Sequence, residues 1–159
     1  VNRATLKKGK NDSRIHFLNS LIKKIPNINY DFYGFENKEP IWGDHFYNAL
    51  INSKMGLNLS RGLPTKYYSS NRIASLMGNG LLTFIDKKTK LNDFFTRNEI
   101  VFYDNLSDLA EKILFYKQND NLRKKIAKNG KKKYFKLFNE IKIADYIIKK
   151  SLGKKTDLY

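Results

Sequence analysis

The segment Ser69-Ser70-Asn71-Arg72 places hydroxyl, amide and guanidinium groups directly after a loop that contains glycine and proline. The residues that follow have helical spacing, so this segment stands at a predicted helix start. Free backbone N–H groups, the positive end of the helix dipole and an arginine fork suit a phosphate or diphosphate. The alternative is that Ser69 or Ser70 simply caps the helix and that Arg72 is a solvated cation.

Two further cations, Arg61 and Lys66, lie in the loop before that helix start. Arginine and lysine side chains near a helix start can bind the same anion. Arg61 and Lys66 are candidate ligand-binding residues, with ordinary solvated side chains as the alternative.

Other kinds of site are excluded or disfavoured by composition. The chain has no cysteine, which rules out disulfide bonds, thiolate metal sites and cysteine nucleophiles. Only His16 and His45 supply imidazole, so neither a zinc site nor a Ser-His-Asp triad is favoured, and we expect no metal and no cofactor. His45 is a candidate cleft residue near a predicted helix start, although an exposed histidine on a helix needs no function.

The net charge is strongly positive, because 31 Lys+Arg against 15 Asp+Glu leave +16. Many of the basic residues fall on one predicted helix, namely Arg123, Lys124, Lys125, Lys128, Lys131, Lys132, Lys133 and Lys136. The predicted buried stripe of that helix consists of Leu122, Ile126, Tyr134, Leu137 and Phe138. A solvated face is the simplest interpretation, and an anionic membrane surface or nucleic acid are the alternatives. Nucleic acid is disfavoured because the RNA-recognition aromatic pair, the KH loop and helix-turn-helix spacing are all missing.

No run of residues approaches the roughly 20 consecutive apolar residues that a membrane span needs. The first ten residues also lack the apolar core of a signal peptide. These features predict a cytoplasmic protein, with the inner face of the cell membrane as a candidate peripheral location. The length of 159 residues predicts a single domain over residues 1–159.

Several elements must position these side chains. Apolar residues alternate or cluster as in strands at residues 28–33, 54–60, 81–85 and 100–103. Helical spacing marks residues 13–25, 44–51, 70–77, 91–95, 106–114, 121–138 and 139–151. Asp44 is the predicted cap of the second helix, and Asn105 or Asp104 that of the helix at 106–114. The nearly unbroken apolar run at 81–85 is typical of a strand buried on both faces in a parallel sheet. The pattern predicts an α/β, Rossmann-like three-layer domain, a parallel sheet flanked by helices, with a helical C-terminal tail over residues 120–151.

Ligands of such sheets bind at the carboxyl ends of the strands. That rule selects three loops, which are Gly34–Trp42, Ser60–Asn71 and Asp86–Lys90. Phe35 and Trp42 could stack on a nucleobase there, although an aromatic residue beside a strand is more often part of the core.

An ordered set of motifs runs through most of the chain. They read YDFYG, KMGLNLSRG, YYSSNRIASLMGNGLLTFID, KLNDFF, EIVFYDNLSDLAEKILFY and NLRKKIAKNG. Their order and spacing resemble the C-terminal domain of bacterial glycosyltransferases with the two-domain GT-B fold, in the group called glycosyl transferases family 1. The resemblance covers most of residues 12–150, and it lies in the order of the motifs, since none of them is specific alone.

This resemblance implies a domain that binds a UDP- or GDP-linked sugar and transfers the sugar, without a metal, to an unknown acceptor such as an envelope glycan, a lipid or a protein. Ser70, Asn71 and Arg72 match the family's phosphate-side positions. In such enzymes the departing diphosphate gains negative charge, which arginine or lysine side chains stabilise, so the resemblance makes Arg72 the candidate catalytic residue, with Arg61 and Lys66 as loop candidates. Gly34 matches a glycine beside the base pocket, and Gly80 matches the glycine before the next strand. The acceptor-binding N-terminal domain of the same protein would lie outside this chain.

One departure from the family concerns the nucleotide ribose. Many members carry a glutamate at the position of Ser75, and related enzymes carry another where Tyr67 stands. A serine still forms one hydrogen bond, but the bidentate hold on a ribose diol is lost. Two alternatives to an active donor domain follow. One is a nucleic-acid- or membrane-binding module without catalytic activity, and the other is a degenerate domain that serves as an assembly partner.

Overall fold

The computed structural model describes residues 13–35, 38–60 and 62–156. The described helices are α1 (Ser13–Lys24), α2 (Gly43–Ile51), α3 (Asn71–Gly78), α4 (Leu106–Gln118), α5 (Asp120–Leu137) and α6 (Glu140–Ser151). The described strands are β1 (Met55–Asn58), β2 (Leu82–Asp86) and β3 (Val101–Tyr103). Two short 3-10 turns, Lys87–Thr89 and Leu91–Asp93, separate β2 from β3.

The strands form one parallel sheet in the order β1-β2-β3, with β2 in the centre. Residues 82–85 of β2 are all buried, as the apolar run predicts. Leu82 and Phe84 pack with residues of α1 and α4, whereas Ile85 packs with residues of α3. Successive side chains of a strand point to opposite faces, so β2 contributes to both faces of the sheet. The predicted α/β fold with a parallel, helix-flanked sheet is confirmed.

The predicted strand at residues 28–33 is wrong, because these residues form an irregular segment without a ladder partner in the described structure. Tyr30 stacks on Phe32 with ring centroids 5.3 Å apart, and its hydroxyl donates to the Ile25 carbonyl at 3.1 Å. An alternating pattern predicts only which side chains share a face. Here the aromatic side chains pack on one another, so the pattern occurs without a neighbouring strand.

Three smaller predictions also need correction. Asp44 does not cap α2, because the N-cap residue is Trp42 and Asp44 lies within the first turn. The predicted helix at 91–95 is a 3-10 turn. Of the two aromatic residues expected in the core, Phe35 is buried, but Trp42 is 71% exposed because it begins a helix that buries only Leu50. Asn105 does cap α4, accepting from the N–H of Asp108 at 3.0 Å.

Helix α5 buries Ile126 as predicted, and Tyr134, Leu137 and Phe138 are partly buried against the core, but the predicted stripe is wrong at Leu122. Arg123 is only 6% exposed, whereas Leu122 is 39% exposed. Two nitrogens of Arg123 donate to Asp120 Oδ1, and its Nη1 donates to the Lys54 carbonyl at 2.9 Å. A buried guanidinium needs such partners. Arg123 therefore belongs to the packed side of α5 and not to the exposed basic face.

Helix α6 contributes no buried residue, and its apolar residues Ile141, Ile147, Ile148 and Leu152 are exposed. No helix among the described residues is both long enough and apolar enough to cross a membrane.

Candidate functional site

The start of α3 is tied to the carboxyl end of β1. Ser70 occupies the N-cap position, but its side chain makes no capping bond. Its hydroxyl donates instead to Oδ1 of Asn58, a buried residue at the end of β1, at 3.2 Å. The interpretation of Ser70 as a simple helix cap is therefore wrong, because its hydroxyl is used between two elements.

Arg72 makes the second bond between α3 and β1. Its Nη1 donates to the Leu59 carbonyl at 2.6 Å, just beyond the end of β1. Burial lowers the pKa of Arg72, the neighbouring charge of Arg14 lowers it further, and Tyr68 acts in the opposite direction. Arg72 is half-buried and bonded, so it is not a solvated surface cation. The bond to Leu59 uses one of its five N–H donors.

A cavity of about 170 Å³ opens at this edge of the sheet. Its walls come from the ends of all three strands, from the loop after β1 and from the start of α1. The lining residues are Ser13, Arg14, Phe17, Leu59, Ser60, Gly62, Pro64, Asp86 and Tyr103. The rule that ligands bind at the carboxyl ends of parallel strands selected the same edge.

Arg14 is the charged residue of this cavity that sequence reasoning missed. It lies in the first turn of α1, lines the cavity and is only 6% exposed. A cation near a helix N-terminus is unfavourable for the helix dipole, and that position was the available signal. The signal is weak in a chain with so many basic residues, and only the packing of α1 shows where Arg14 lies.

Asp86 and Tyr103 add polar groups from the ends of β2 and β3. Burial raises the pKa of Tyr103, and the nearby Asp86 carboxylate raises it further, so the phenol stays protonated near neutral pH. Asp86 accepts from the Lys88 N–H at 2.8 Å through Oδ1. The carboxylate and the phenol can hydrogen-bond hydroxyl groups of a ligand.

Tyr67 anchors the loop between β1 and α3. Its N–H donates to the Thr89 carbonyl at 2.8 Å, and its hydroxyl donates to Asp93 Oδ2 at 2.7 Å. Lys66, a predicted ligand-binding residue, has its Nζ 4.6 Å from the centroid of the Tyr67 ring. Where related enzymes carry a glutamate, this chain therefore has a residue that holds the loop on the segment after β2.

Three other predicted residues lie at two places, the start of α3 and the turn before β2. Ser69 and Asn71 lie with Ser70 and Arg72 at the start of α3, and both are exposed. Gly80 is separated from them, because it follows α3 and precedes β2 at the opposite edge of the sheet, where it forms a turn with φ of +77°.

Two further predicted residues, Ser75 and Gly34, make no contact among the described residues that defines a ligand site. Ser75 donates its hydroxyl to the Asn71 carbonyl at 3.0 Å, within its own helix. Gly34 forms a bend with φ of +66° after the aromatic segment. Arg61 lies outside the described residues.

The two histidines lie apart from the cavity lining. His16 is exposed on α1 and His45 is exposed on α2. Within residues 13–35, 38–60 and 62–156, no group of three or more histidine or carboxylate side chains could hold a metal ion.

Comparison with known proteins adds one finding. Residues 11–149 match the sequence profile of a family described as glycosyl transferase-like. No curated protein and no solved structure matches the chain. The matched range agrees with the extent of the ordered motifs and includes all the site residues described above. The chain therefore belongs to the glycosyl transferase-like family, as a domain of the glycosyltransferase family 1 type.

Proposed function

We propose that this domain binds a nucleotide-diphosphate sugar, UDP- or GDP-linked, at the carboxyl edge of its sheet and supports transfer of the sugar to an acceptor. The observation that carries the proposal is the cavity at that edge, with the start of α3 and Arg72 held beside it by Asn58 and Leu59. Family membership supplies the reaction class, and the site supplies the groups suited to a diphosphate.

The Ser70 side chain supports this role because it does not cap α3. Its hydroxyl donates to Asn58 and accepts from none of the first-turn N–H groups of α3. The Ile73 N–H donates to the Ser70 carbonyl at 3.0 Å. The two N–H groups before it, those of Asn71 and Arg72, stand at the positive end of the helix, which suits an anion. When the bond between the sugar and the diphosphate breaks, negative charge grows on the diphosphate. Arg72 and the N–H groups of α3 would stabilise that charge without a metal.

Two features extend the proposal to the whole enzyme. Ribose recognition would not depend on the family glutamates, because Ser75 and Tyr67 occupy their positions. The acceptor and its acid or base would come from the N-terminal domain of a two-domain GT-B protein. The full-length protein is therefore the right material for every activity measurement.

The test is nucleotide binding and turnover by the full-length protein with Arg72→Met. We expect UDP or GDP to bind the wild type, and turnover to fall by two or more orders of magnitude in the variant, because one transition-state donor is worth about 10²–10³ in kcat. Arg97→Met is the matched control, since Arg97 is exposed in the turn before β3, at the other edge of the sheet. Absence of binding to any nucleotide diphosphate, or equal turnover in the Arg72 and Arg97 variants, contradicts the proposal.

We also propose that the outer face of α5 rests on an anionic membrane surface, at the inner face of the cell membrane. Lys125, Lys128, Lys132 and Lys136 are exposed there. Helical spacing of about 100° per residue brings these four lysines to one side of α5. No ion pair among the described residues neutralises any of the four. This location would suit an enzyme with a lipid-linked or envelope acceptor.

A further inference from the structure

The position of Arg14 costs free energy for two reasons. Its guanidinium belongs to a side chain that is only 6% exposed, and removing a charge from water costs free energy unless other groups compensate for it. It also stands in the first turn of α1, where the helix dipole disfavours a cation. Further interactions within the protein hold Arg14, so its position is defined by the fold.

A second arginine lies close enough to feel that charge. Burial is the larger cause of the lowered pKa of Arg72, and the charge of Arg14 lowers that pKa further. Arg72 is fixed on the Leu59 carbonyl, and Leu59 lines the same cavity as Arg14. Arg14 and Arg72 therefore lie close enough for their charges to repel, and an anion bound near both would relieve that repulsion.

The buried Arg123 shows what a purely structural arginine looks like in this fold. It has the same 6% exposure, but it bonds Asp120 and the Lys54 carbonyl at the amino edge of the sheet. It does not line the cavity. Arg14 differs from Arg123 because it lines a cavity at the carboxyl edge of the sheet, where ligands of parallel sheets bind.

Cavity size limits what Arg14 can contact. Pockets that enclose a whole drug-sized ligand have volumes of about 300–1,000 Å³. The volume here is about 170 Å³, so the cavity can enclose only part of a nucleotide sugar. Asp86 in the same wall repels phosphate and accepts from hydroxyls, which leaves Arg14 as the lining group suited to phosphate.

We infer that Arg14 is the second arginine of the donor site and binds the diphosphate of the nucleotide in this cavity, beside Arg72. This inference rests on the proposed function and names the group that holds the phosphates from the side of α1. Guanidinium groups form parallel N–H···O bonds with phosphate oxygens, so two arginines can hold the two phosphates from different elements.

The test compares Arg14→Gln with the wild type in the full-length protein, by calorimetric titration with UDP, GDP, uridine, guanosine and inorganic pyrophosphate. We expect the affinity for the diphosphate nucleotide and for pyrophosphate to fall on the order of 10- to 100-fold, as expected for a lost charged hydrogen bond. Affinity for the nucleoside should not change, because it carries no phosphate. Arg123→Gln, which removes an equally buried arginine from the other edge, should keep the wild-type nucleotide affinity.

The outcomes separate this inference from the proposed function. Wild-type binding of UDP or GDP with equal affinity in Arg14→Gln overturns the role of Arg14 alone. Wild-type binding of no nucleotide diphosphate overturns the proposed function, and the role of Arg14 with it. If Arg14→Gln does not fold, Arg14→Lys carries the test, because an ammonium cannot form the two parallel bonds of a guanidinium. Unchanged UDP affinity in Arg14→Lys would then overturn the inference.

Discussion

Two arginines with the same small exposure have different surroundings in this domain, and the difference shows how partners define a residue's role. Arg123 is compensated by Asp120 and by the Lys54 carbonyl, which links α5 to the start of β1. Arg14 lines the cavity at the carboxyl edge and lies close enough to Arg72 for the two charges to repel. The first is a structural residue, and the second is the one that an anionic ligand would stabilise.

The ion pairs of Asp120 predict a measurable dependence of stability on pH. Hydrogen bonds from Lys124 and Arg123 lower the pKa of Asp120 to about 2. Because the folded-state pKa lies below the unfolded value, Asp120 stabilises the fold above the unfolded pKa, and this contribution is lost as the pH falls through about 2. Asp120→Asn should therefore lower stability at pH 7 and flatten the loss of stability between about pH 4 and pH 2.

Urea unfolding followed by circular dichroism across that pH range measures the effect. Asp145→Asn is the matched control, since Asp145 is an exposed carboxylate that pairs with Lys149 on α6. Parallel stability curves for the wild type and Asp120→Asn below pH 4 would contradict the assignment.

At the scale of elements, the packing of α5 against the sheet depends on the close approach of Gly130 to Glu99. A Cβ at Gly130 would collide with the backbone carbonyl of Glu99, just before β3, and would crowd Met77 of α3. Gly130 itself is buried. The missing side chain lets α5 lie close to both the sheet and α3, which positions the element that carries the basic face.

Gly130→Ala should lower the free energy of unfolding by about 1–3 kcal/mol, because overpacking against a backbone atom forces the helix to move. The loss should appear in the midpoint of chemical denaturation at pH 7. Gly78→Ala is the matched control, since a Cβ there would meet only the Phe135 ring at an ordinary 3.9 Å. Alanine is the better helix former, so this control should be neutral or slightly stabilising. A similar loss in both variants would contradict the role given to Gly130.

At the scale of the whole molecule, the basic residues that give the net charge of +16 differ in how deeply they are buried. Arg14, Arg72 and Arg123 are buried or half-buried, and Arg72 and Arg123 each donate to a backbone carbonyl. Most lysines of α5 are exposed on its outer face. Composition alone does not separate these buried or half-buried arginines from the broad exposed lysine face of α5.

Replacing Lys125, Lys128, Lys132 and Lys136 with glutamine should abolish binding to anionic vesicles. Each cation near such a surface contributes about 1 kcal/mol, so the four together contribute about 4 kcal/mol. Co-sedimentation with phosphatidylglycerol vesicles measures this binding, and phosphatidylcholine vesicles should not bind the wild type. Glutamine at Lys23, Lys24, Lys38 and Lys154, which are exposed elsewhere, is the matched control. Equal binding by both variants, or salt-sensitive binding to RNA in place of vesicles, would overturn the membrane role.

Local pattern alone was sufficient for much of this protein. The apolar run at 81–85 identified a buried central strand, and helical spacing located all six helices to within a few residues. The ordered motifs of the family were also readable, whereas the anion-binding chemistry expected at Ser69–Arg72 stays a prediction. These features depend on residues that are near one another in sequence, where spacing and residue type carry the information.

Only the tertiary structure decided which residues meet. Ladder partners decided that residues 28–33 are not a strand, and packing decided that Arg123 is buried while Trp42 is exposed. The bond from Ser70 to Asn58, and the meeting of Arg14 with Arg72, join residues far apart in the chain. The sequence by itself determined the fold class, the family and the start of α3 as a candidate anion site. The second arginine required the fold, because a charge acts through space on whatever the packing brings near it.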